Sequence, residues 1–286
     1  MRTRDDPLWQ RDWPAPAKIN LFLRVIGRRA DGYHLLQTVF RFLDYGDTIR
    51  FAPRRDDAIV LRTPLPGVPP DQDLTVRAAH ALREARGLRG GIDIDLDKRL
   101  PLGGGLGGGS SDAATTLLAL NRLWDAGAGK AELQRLALSL GADVPIFIHG
   151  RAAFAEGVGE RFSDVTVAPA WYLVLIPRVA VPTGEIFRAA DLRRDAPAIA
   201  PSAWHDGMTG NDLEAVACRL YPEIRRHLDW LGRYAEARMS GSGACVFAAF
   251  ADQAAARQTL AALPTDLRGF VARGLDRHPL CEPPRN

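Results

Sequence analysis

The chain is poor in cysteine. Its 286 residues hold three, Cys218, Cys245 and Cys281, far apart and odd in number. No disulfide framework or metal-binding spacing can be built from them, and a reducing compartment fits. There is little excess charge of either sign. The net charge of +3 suits an anionic small substrate but is too weak to argue for nucleic acid. No basic segment carries the interleaved aromatics of RNA-binding surfaces. Long hydrophobic runs are missing too. The apolar run Trp171–Ile176 is far shorter than the ~20 residues of a membrane span. The stretch Met1–Pro7 lacks the apolar core of a secretory signal. A soluble, cytoplasmic protein is expected, with no nucleic acid or membrane partner. Its length allows about two domains, and no internal repeat is visible.

What the chain does have is glycine, concentrated in one place. Residues 101–112 read Pro-Leu-Gly-Gly-Gly-Leu-Gly-Gly-Gly-Ser-Ser-Asp. Such a run cannot be a packed element, because glycine loses the most backbone entropy on ordering. It suits a backbone that must approach a ligand closely or take positive φ. Behind it, Ala113, Leu117, Leu120 and Trp124 recur at helical spacing, and Ser110 or Ser111 is a natural N-cap. A glycine loop opening a helix offers free N–H groups and the positive end of the helix dipole to a phosphate. The alternative, a flexible linker, fits poorly between a strand-like stretch and a strong helix.

Around this loop the pattern mixes strands and helices without a strict βαβ rhythm, so the fold class is α+β. From Ala17 to Val25 apolar and polar residues alternate, as in a half-buried strand. Further strands are predicted at Leu35–Leu43 and Asp47–Phe51, joined through Asp44-Tyr45-Gly46, and at Gly91–Leu96. Helices are predicted at Leu74–Arg86 and Lys130–Leu140, the latter stopped by Gly141. In the second half Tyr172–Ile176 reads as a strand, and 212–220 and 224–234 read as helices. A Gly-Ser-Gly turn precedes an apolar strand within Arg238–Phe250. The proline-rich tail Pro279–Asn286 is expected to fray.

Three familiar phosphate motifs fail on this loop. Gly104 and Gly109 have Walker A spacing, but Ser110 stands where the lysine is required. Gly103, Gly105 and Gly108 satisfy a dinucleotide fingerprint formally, yet Asp125, at the distance of a ribose partner, ends a helix and does not follow a second strand. The His-Arg-Asp and Asp-Phe-Gly elements of protein kinases do not occur. Instead, Pro-x-x-x-Gly-Leu-Gly-x-x-Ser-Ser resembles the second motif of the GHMP small-molecule kinases. Ala15-Pro16-Ala17-Lys18-Ile19-Asn20-Leu21 resembles their first motif, and Met239-Ser240-Gly241-Ser242-Gly243-Ala244-Cys245-Val246 their third. The resemblance runs from about residue 13 to about 275. Three details resemble the members acting on a cytidine-diphosphate-linked methylerythritol. They are Ala30-Asp31-Gly32-Tyr33-His34, the expanded glycine run, and Leu140-Gly141-Ala142-Asp143-Val144-Pro145.

The resemblance implies a two-domain GHMP fold. Residues 1–160 would form an ATP-binding domain like the second domain of ribosomal protein S5, and 161–286 a ferredoxin-like domain. It implies phosphorylation of the substrate's 2-hydroxyl by ATP with Mg2+, on the non-mevalonate route to isoprenoids, by a monomer or weak homodimer. Asp143, which alone reads as a turn or N-cap residue, falls on the catalytic aspartate. Lys18, alone an ordinary strand lysine, would pair with it and offset charge on the transferring phosphoryl. Pro101, Leu102, Gly103, Gly104, Gly105, Leu106, Gly107, Gly108, Gly109, Ser110 and Ser111 would hold ATP. Asn20 would bond substrate or Lys18, Tyr33 would stack on cytosine, and His34 would read its edge. Phe187, otherwise a core residue, would be the opposite ring, and Thr183 would touch the polar part of the substrate. No protein ligand for the metal is assigned. Lys98 and Arg99 either approach the nucleotide or form a solvated pair. The role of Asp112 is open, and Gly241 and Gly243 form either a site turn or a plain strand-entry turn. Cys245 has no visible base partner.

Overall fold

The computed structural model describes residues 3–281. In chain order the strands and helices are β1 (Trp13–Arg28), β2 (His34–Pro53), β3 (Ile59–Leu61), α1 (Leu74–Ala85), β4 (Ile92–Asp97), α2 (Gly108–Leu123), α3 (Lys130–Leu140), α4 (Val144–His149), β5 (Ala153–Glu156) and β6 (Arg161–Asp164). They continue with β7 (Trp171–Leu175), α5 (Thr183–Arg188), α6 (Glu214–Leu220), α7 (Pro222–Leu231), β8 (Ala237–Met239), β9 (Val246–Phe250), α8 (Gln253–Ala261) and β10 (Gly269–Leu275). The sheet runs in the order β3-β4-β2-β10-β7-β9-β8, with β1 and β5 also paired to β2 and β6 paired to β5.

The long strand β2 is the spine, with β1, β4, β5 and β10 all pairing along parts of it. The expected break at Asp44-Tyr45-Gly46 is absent. Gly46 faces Pro16 across the β1–β2 ladder, and a Cβ there would lie 2.2 Å from the carbonyl oxygen of Ala15. The glycine permits close packing of two strands and makes no turn.

A second correction concerns β1. Its residues from Ala15 to Leu23 are buried on both faces, so Lys18 and Asn20, at 2% and 4% exposure, are not on a solvated face. Alternation suggested half-burial because these two polar side chains have partners inside the protein. Register shifts between Pro16 and Lys18, and between Asn20 and Phe22, flank both residues. Such bulges re-aim side chains.

One core lies between the sheet and α1 to α4, built from residues such as Trp13, Phe42, Leu117, Leu120 and Phe147. A second packs α6 and α7 against β8 and β9. A third joins β1 and β2 to β7, β9 and β10. The boundary expected at 160/161 falls in the turn of the β5–β6 hairpin. The expectation of a frayed tail does not hold at Leu280, which is buried and whose carbonyl accepts a hydrogen bond from Arg122. The rest of that tail, 282–286, lies outside the described residues. Among the described residues no helix is long and apolar enough to cross a membrane.

Leu120, fully buried on the core face of α2, tests this packing. Leu120→Ala is expected to cost about 2–5 kcal/mol in denaturant unfolding. A cost near zero would mean that α2 is not docked as described.

Candidate active site

The site grows from the edge of β1 that faces away from β2. A buried strand edge must find partners for its N–H groups, and here distant loops supply them. The N–H of Lys18 donates to the carbonyl of Leu106 at 2.9 Å. That of Asn20 donates to Ser240 Oγ at 3.2 Å. Ser240 Oγ in turn donates to the Gly105 carbonyl at 2.9 Å, and the Cys245 N–H donates to the Gly104 carbonyl at 3.0 Å. The first strand, the glycine run and the Met239–Val246 turn are therefore bonded to one another.

At the centre Lys18 Nζ lies 3.0 Å from Asp143 Oδ2 and donates to Asn20 Oδ1 at 2.7 Å. Asn20 Nδ2 donates to Thr38 Oγ1 at 2.8 Å, and the Thr38 hydroxyl donates to the Phe22 carbonyl. This chain fixes which end of the Asn20 amide faces the ammonium. Asp143 occupies the N-cap position of α4 but makes no capping bond with its side chain. Its carboxylate is 41% exposed while its lysine partner is 2% exposed. The pair thus presents an open carboxylate held from behind by a buried cation.

The glycine run turns through positive φ at Gly103, Gly105 and Gly107. The cap of α2 is Gly107, in the left-handed conformation, and not Ser110 or Ser111. The helix starts earlier than expected because glycine enters that conformation without steric cost. No side chain caps it, so the first-turn N–H groups keep the anion-binding character read from the sequence.

A cleft of about 780 Å³ collects most of the expected residues. Lys18, Asn20, Asp143, Pro101 to Gly105, Gly107 to Ser110, Tyr33, His34, Thr183 and Phe187 all line it. Leu106 and Ser111 do not; both are buried, and the Leu106 carbonyl serves β1 instead. Tyr33 is exposed, and Phe187 stacks on His34 with ring centroids 4.9 Å apart. Thr183 Oγ1 pairs with Ser242 Oγ at 2.8 Å. Gly241 and Gly243 have positive φ and line the same cleft. The Cys245 thiol is buried and its pKa pushed up to about 12 by that burial, which suits packing against Gly104 and not nucleophilic chemistry. Among the described residues no group of three or more metal-ligating side chains is gathered.

Lys98 does not line the cleft and is not a solvated residue. It bridges Asp47 Oδ2 at 2.5 Å and Asp112 Oδ2 at 2.6 Å, while Asp47 Oδ1 accepts the N–H groups of Arg99 and Leu100. This gives Asp112 its role and ties the start of α2 to the end of β4. The signal overlooked in the sequence is the scarcity of lysine. Of 37 basic residues only Lys18, Lys98 and Lys130 are lysines, and two of these, one buried and one half-buried, lie around the loop.

Two predictions follow from this geometry. Burial pushes the Asp112 carboxyl up to about 7, with Lys98 pulling down and Asp47 pushing up. A carboxyl with a raised folded-state pKa binds more protons folded than unfolded, so it lowers stability as pH climbs through the window from 3.8 to about 7. Asp112→Asn is expected to gain on the wild type in urea unfolding as pH rises across that window; the reverse trend would show that the Lys98 attraction outweighs burial. At Gly105 a Cβ would lie 2.1 Å from the Ser240 carbonyl oxygen at φ +74. Gly105→Ala is expected to cost at least roughly 1–3 kcal/mol and to weaken binding of an ATP analogue. Gly129→Ala, where a Cβ meets nothing within 4 Å, is the near-neutral control.

The family model for the GHMP kinases N terminal domain matches residues 73–151, and that for GHMP kinases C terminal matches 192–269. A 4-diphosphocytidyl-2-C-methyl-D-erythritol kinase of Dechloromonas aromatica is 59% identical over 94% of this chain and 99% of its own. One from Thiobacillus denitrificans is also 59% identical, over 94% and 96%. A crystal structure of 4-(cytidine 5'-diphospho)-2C-methyl-D-erythritol kinase superposes with TM-score 0.81 at 36% identity, covering 92% of this chain and 99% of that one. A mevalonate kinase structure, at 16% identity and TM-score 0.69 over 93% of this chain and 100% of that one, shares the fold. The α+β architecture is thus the two-domain GHMP fold, and the chain belongs to the GHMP kinase family, among the 4-diphosphocytidyl-2-C-methyl-D-erythritol kinases.

Proposed function

We propose that this chain transfers the γ-phosphoryl group of ATP to the 2-hydroxyl of 4-diphosphocytidyl-2-C-methyl-D-erythritol, releasing ADP and the 2-phosphate, as a cytoplasmic step of the non-mevalonate route to isoprenoid precursors. The observation that carries the reading is the Lys18–Asp143 pair, 3.0 Å apart, opening into the same cleft as the glycine loop. The names of the close relatives support the substrate.

The first turn of α2 and the loop before it receive the triphosphate, where N–H groups and the helix dipole favour an anion. Magnesium, which would come with the nucleotide and draw mainly on oxygen ligands, would supply the charge neutralisation that these N–H groups alone do not. Asp143 takes the proton of the attacking hydroxyl as its oxygen bonds to phosphorus. Because such transfers pass through loose transition states, holding that hydroxyl in line contributes alongside proton removal. Lys18 stabilises charge on the transferring group from a buried position, where an ammonium acts more strongly than in water. Tyr33, His34 and Phe187 take the cytosine, and Thr183 the polar linker. The division of labour near residue 160 and a monomeric or weakly dimeric state belong to the same proposal.

The test is coupled ADP release with MgATP and the cytidylyl substrate. Wild-type turnover is expected, with Asp143→Asn lowering kcat by roughly 10²–10⁴ while ATP binding is kept. Turnover in both proteins would remove Asp143 from its role. Absence of turnover in an ATP-binding wild type, with turnover on homoserine or mevalonate, would move the substrate elsewhere in the family.

A further inference from the structure

His34 sits at the base-reading end of the cleft, and one of its ring nitrogens is already engaged. Arg194, half-buried in the segment after α5, donates from Nε to His34 Nε2 at 3.1 Å. The same guanidinium donates from Nη1 to the Leu192 carbonyl at 3.0 Å. From Nη2 it donates to the carbonyls of Phe187 at 3.0 Å and Ala189 at 2.7 Å. Three carbonyls therefore fix the fork, and its remaining direction points at the imidazole. No described residue bonds His34 Nδ1.

Arginine has only donors and stays protonated in proteins. A ring nitrogen facing its N–H must be an acceptor, so the proton of neutral His34 belongs on Nδ1. Burial, Arg194 and Arg28 all hold the His34 pKa below its ordinary value, a direction that favours the neutral ring. Left alone, a neutral imidazole exchanges between two tautomers, and the nitrogen offered to a ligand alternates between donor and acceptor.

We propose that Arg194 is a positioning residue for substrate recognition: it locks His34 in the Nδ1–H tautomer, so that the ring offers a donor to the acceptor edge of a pyrimidine, its O2 and N3. Through the Phe187 carbonyl the same side chain also anchors the facing ring, which stacks on His34. One guanidinium thus sets both the directional and the stacking element of the base pocket. The identity of the base rests on the substrate reading given above; the tautomer does not.

The experiment separates the two. Nitrogen-15 NMR of the histidine side chains in the ligand-free protein, with His34→Gln to assign the signal, reports which ring nitrogen carries the proton. In the wild type His34 is expected to show protonated Nδ1 and bare Nε2. In Arg194→Met the Nε2–H form is expected to appear. Where that variant does not fold, Arg194→Lys keeps the charge, loses the fork, and is expected to show the same shift. Loss of one directed hydrogen bond then raises KM for the cytidylyl substrate about tenfold, with the effect in KM and not kcat. A wild-type His34 carrying its proton on Nε2 would overturn the proposal, as would variants that change the tautomer and leave KM unmoved. Failure of the substrate itself shows as absent turnover with the expected tautomer intact.

Discussion

The arrangement of the molecule around its cleft depends on one constraint, the outer edge of β1. Interior strand edges cannot leave their amides bare, and this one is interior. Its partners come from across the chain. Leu106 and Ser240 close the edge at Lys18 and Asn20, and Gly210 and Asp212 close it at Leu23. Asp212 also accepts the Val25 N–H through its side chain. Asn211, between those two, reaches on to the carbonyls of Met239 and Gly241. Satisfying a backbone edge thereby seats the glycine run and the Met239–Val246 turn against the first strand.

Within that frame Lys18 and Lys98 do different things, and the difference lies in their partners. Lys98 is held between Asp47 and Asp112, both buried, so its charge is used up in joining β4 to α2. Lys18 has one neutral partner and one open carboxylate, which leaves the pair facing the solvent of the cleft. An ammonium is compact and offers three rotatable donors, whereas a guanidinium is a planar fork. In a chain with only three lysines among 37 basic residues, two of them stand where a small cation must fit beneath a glycine backbone. A Cβ at Gly107 would come within 2.9 Å of the Lys18 stem, and one at Gly108 within 3.0 Å of Lys98 Nζ.

Much of this was legible in the residues, and the losses have physical causes. The glycine run, the helix behind it and the Lys130–Leu140 helix carry strong local signals; the last forms where expected, and the helix behind the run begins within it, at Gly108. Gly46 reads as a turn because glycine usually marks one, whereas here it lets two strands touch. Lys18 and Asn20 looked solvated because alternation cannot tell a wet face from a polar interior. Ser110 and Ser111 looked like caps because a glycine cap has no side chain to advertise it. Arg194 lay beyond reach altogether: its link to His34 spans 160 positions, and an arginine in a polar loop carries no local mark.

The way the edge of β1 is closed has a consequence for the order in which the protein becomes itself. The glycine run alone is a floppy loop, and β1 alone is a strand with a bare flank. The hydrogen bond from Asn20 to Ser240 joins residues 220 positions apart, so the cleft exists only after nearly the whole chain has been threaded into place. Contacts so distant in sequence carry a loop-closure cost that favours late formation. A nucleotide that recognises the assembled cleft recognises only the completed fold, and its concentration feeds directly into stability through mass action. In a cell rich in that nucleotide, the ligand and the last long-range pairing would hold each other in place.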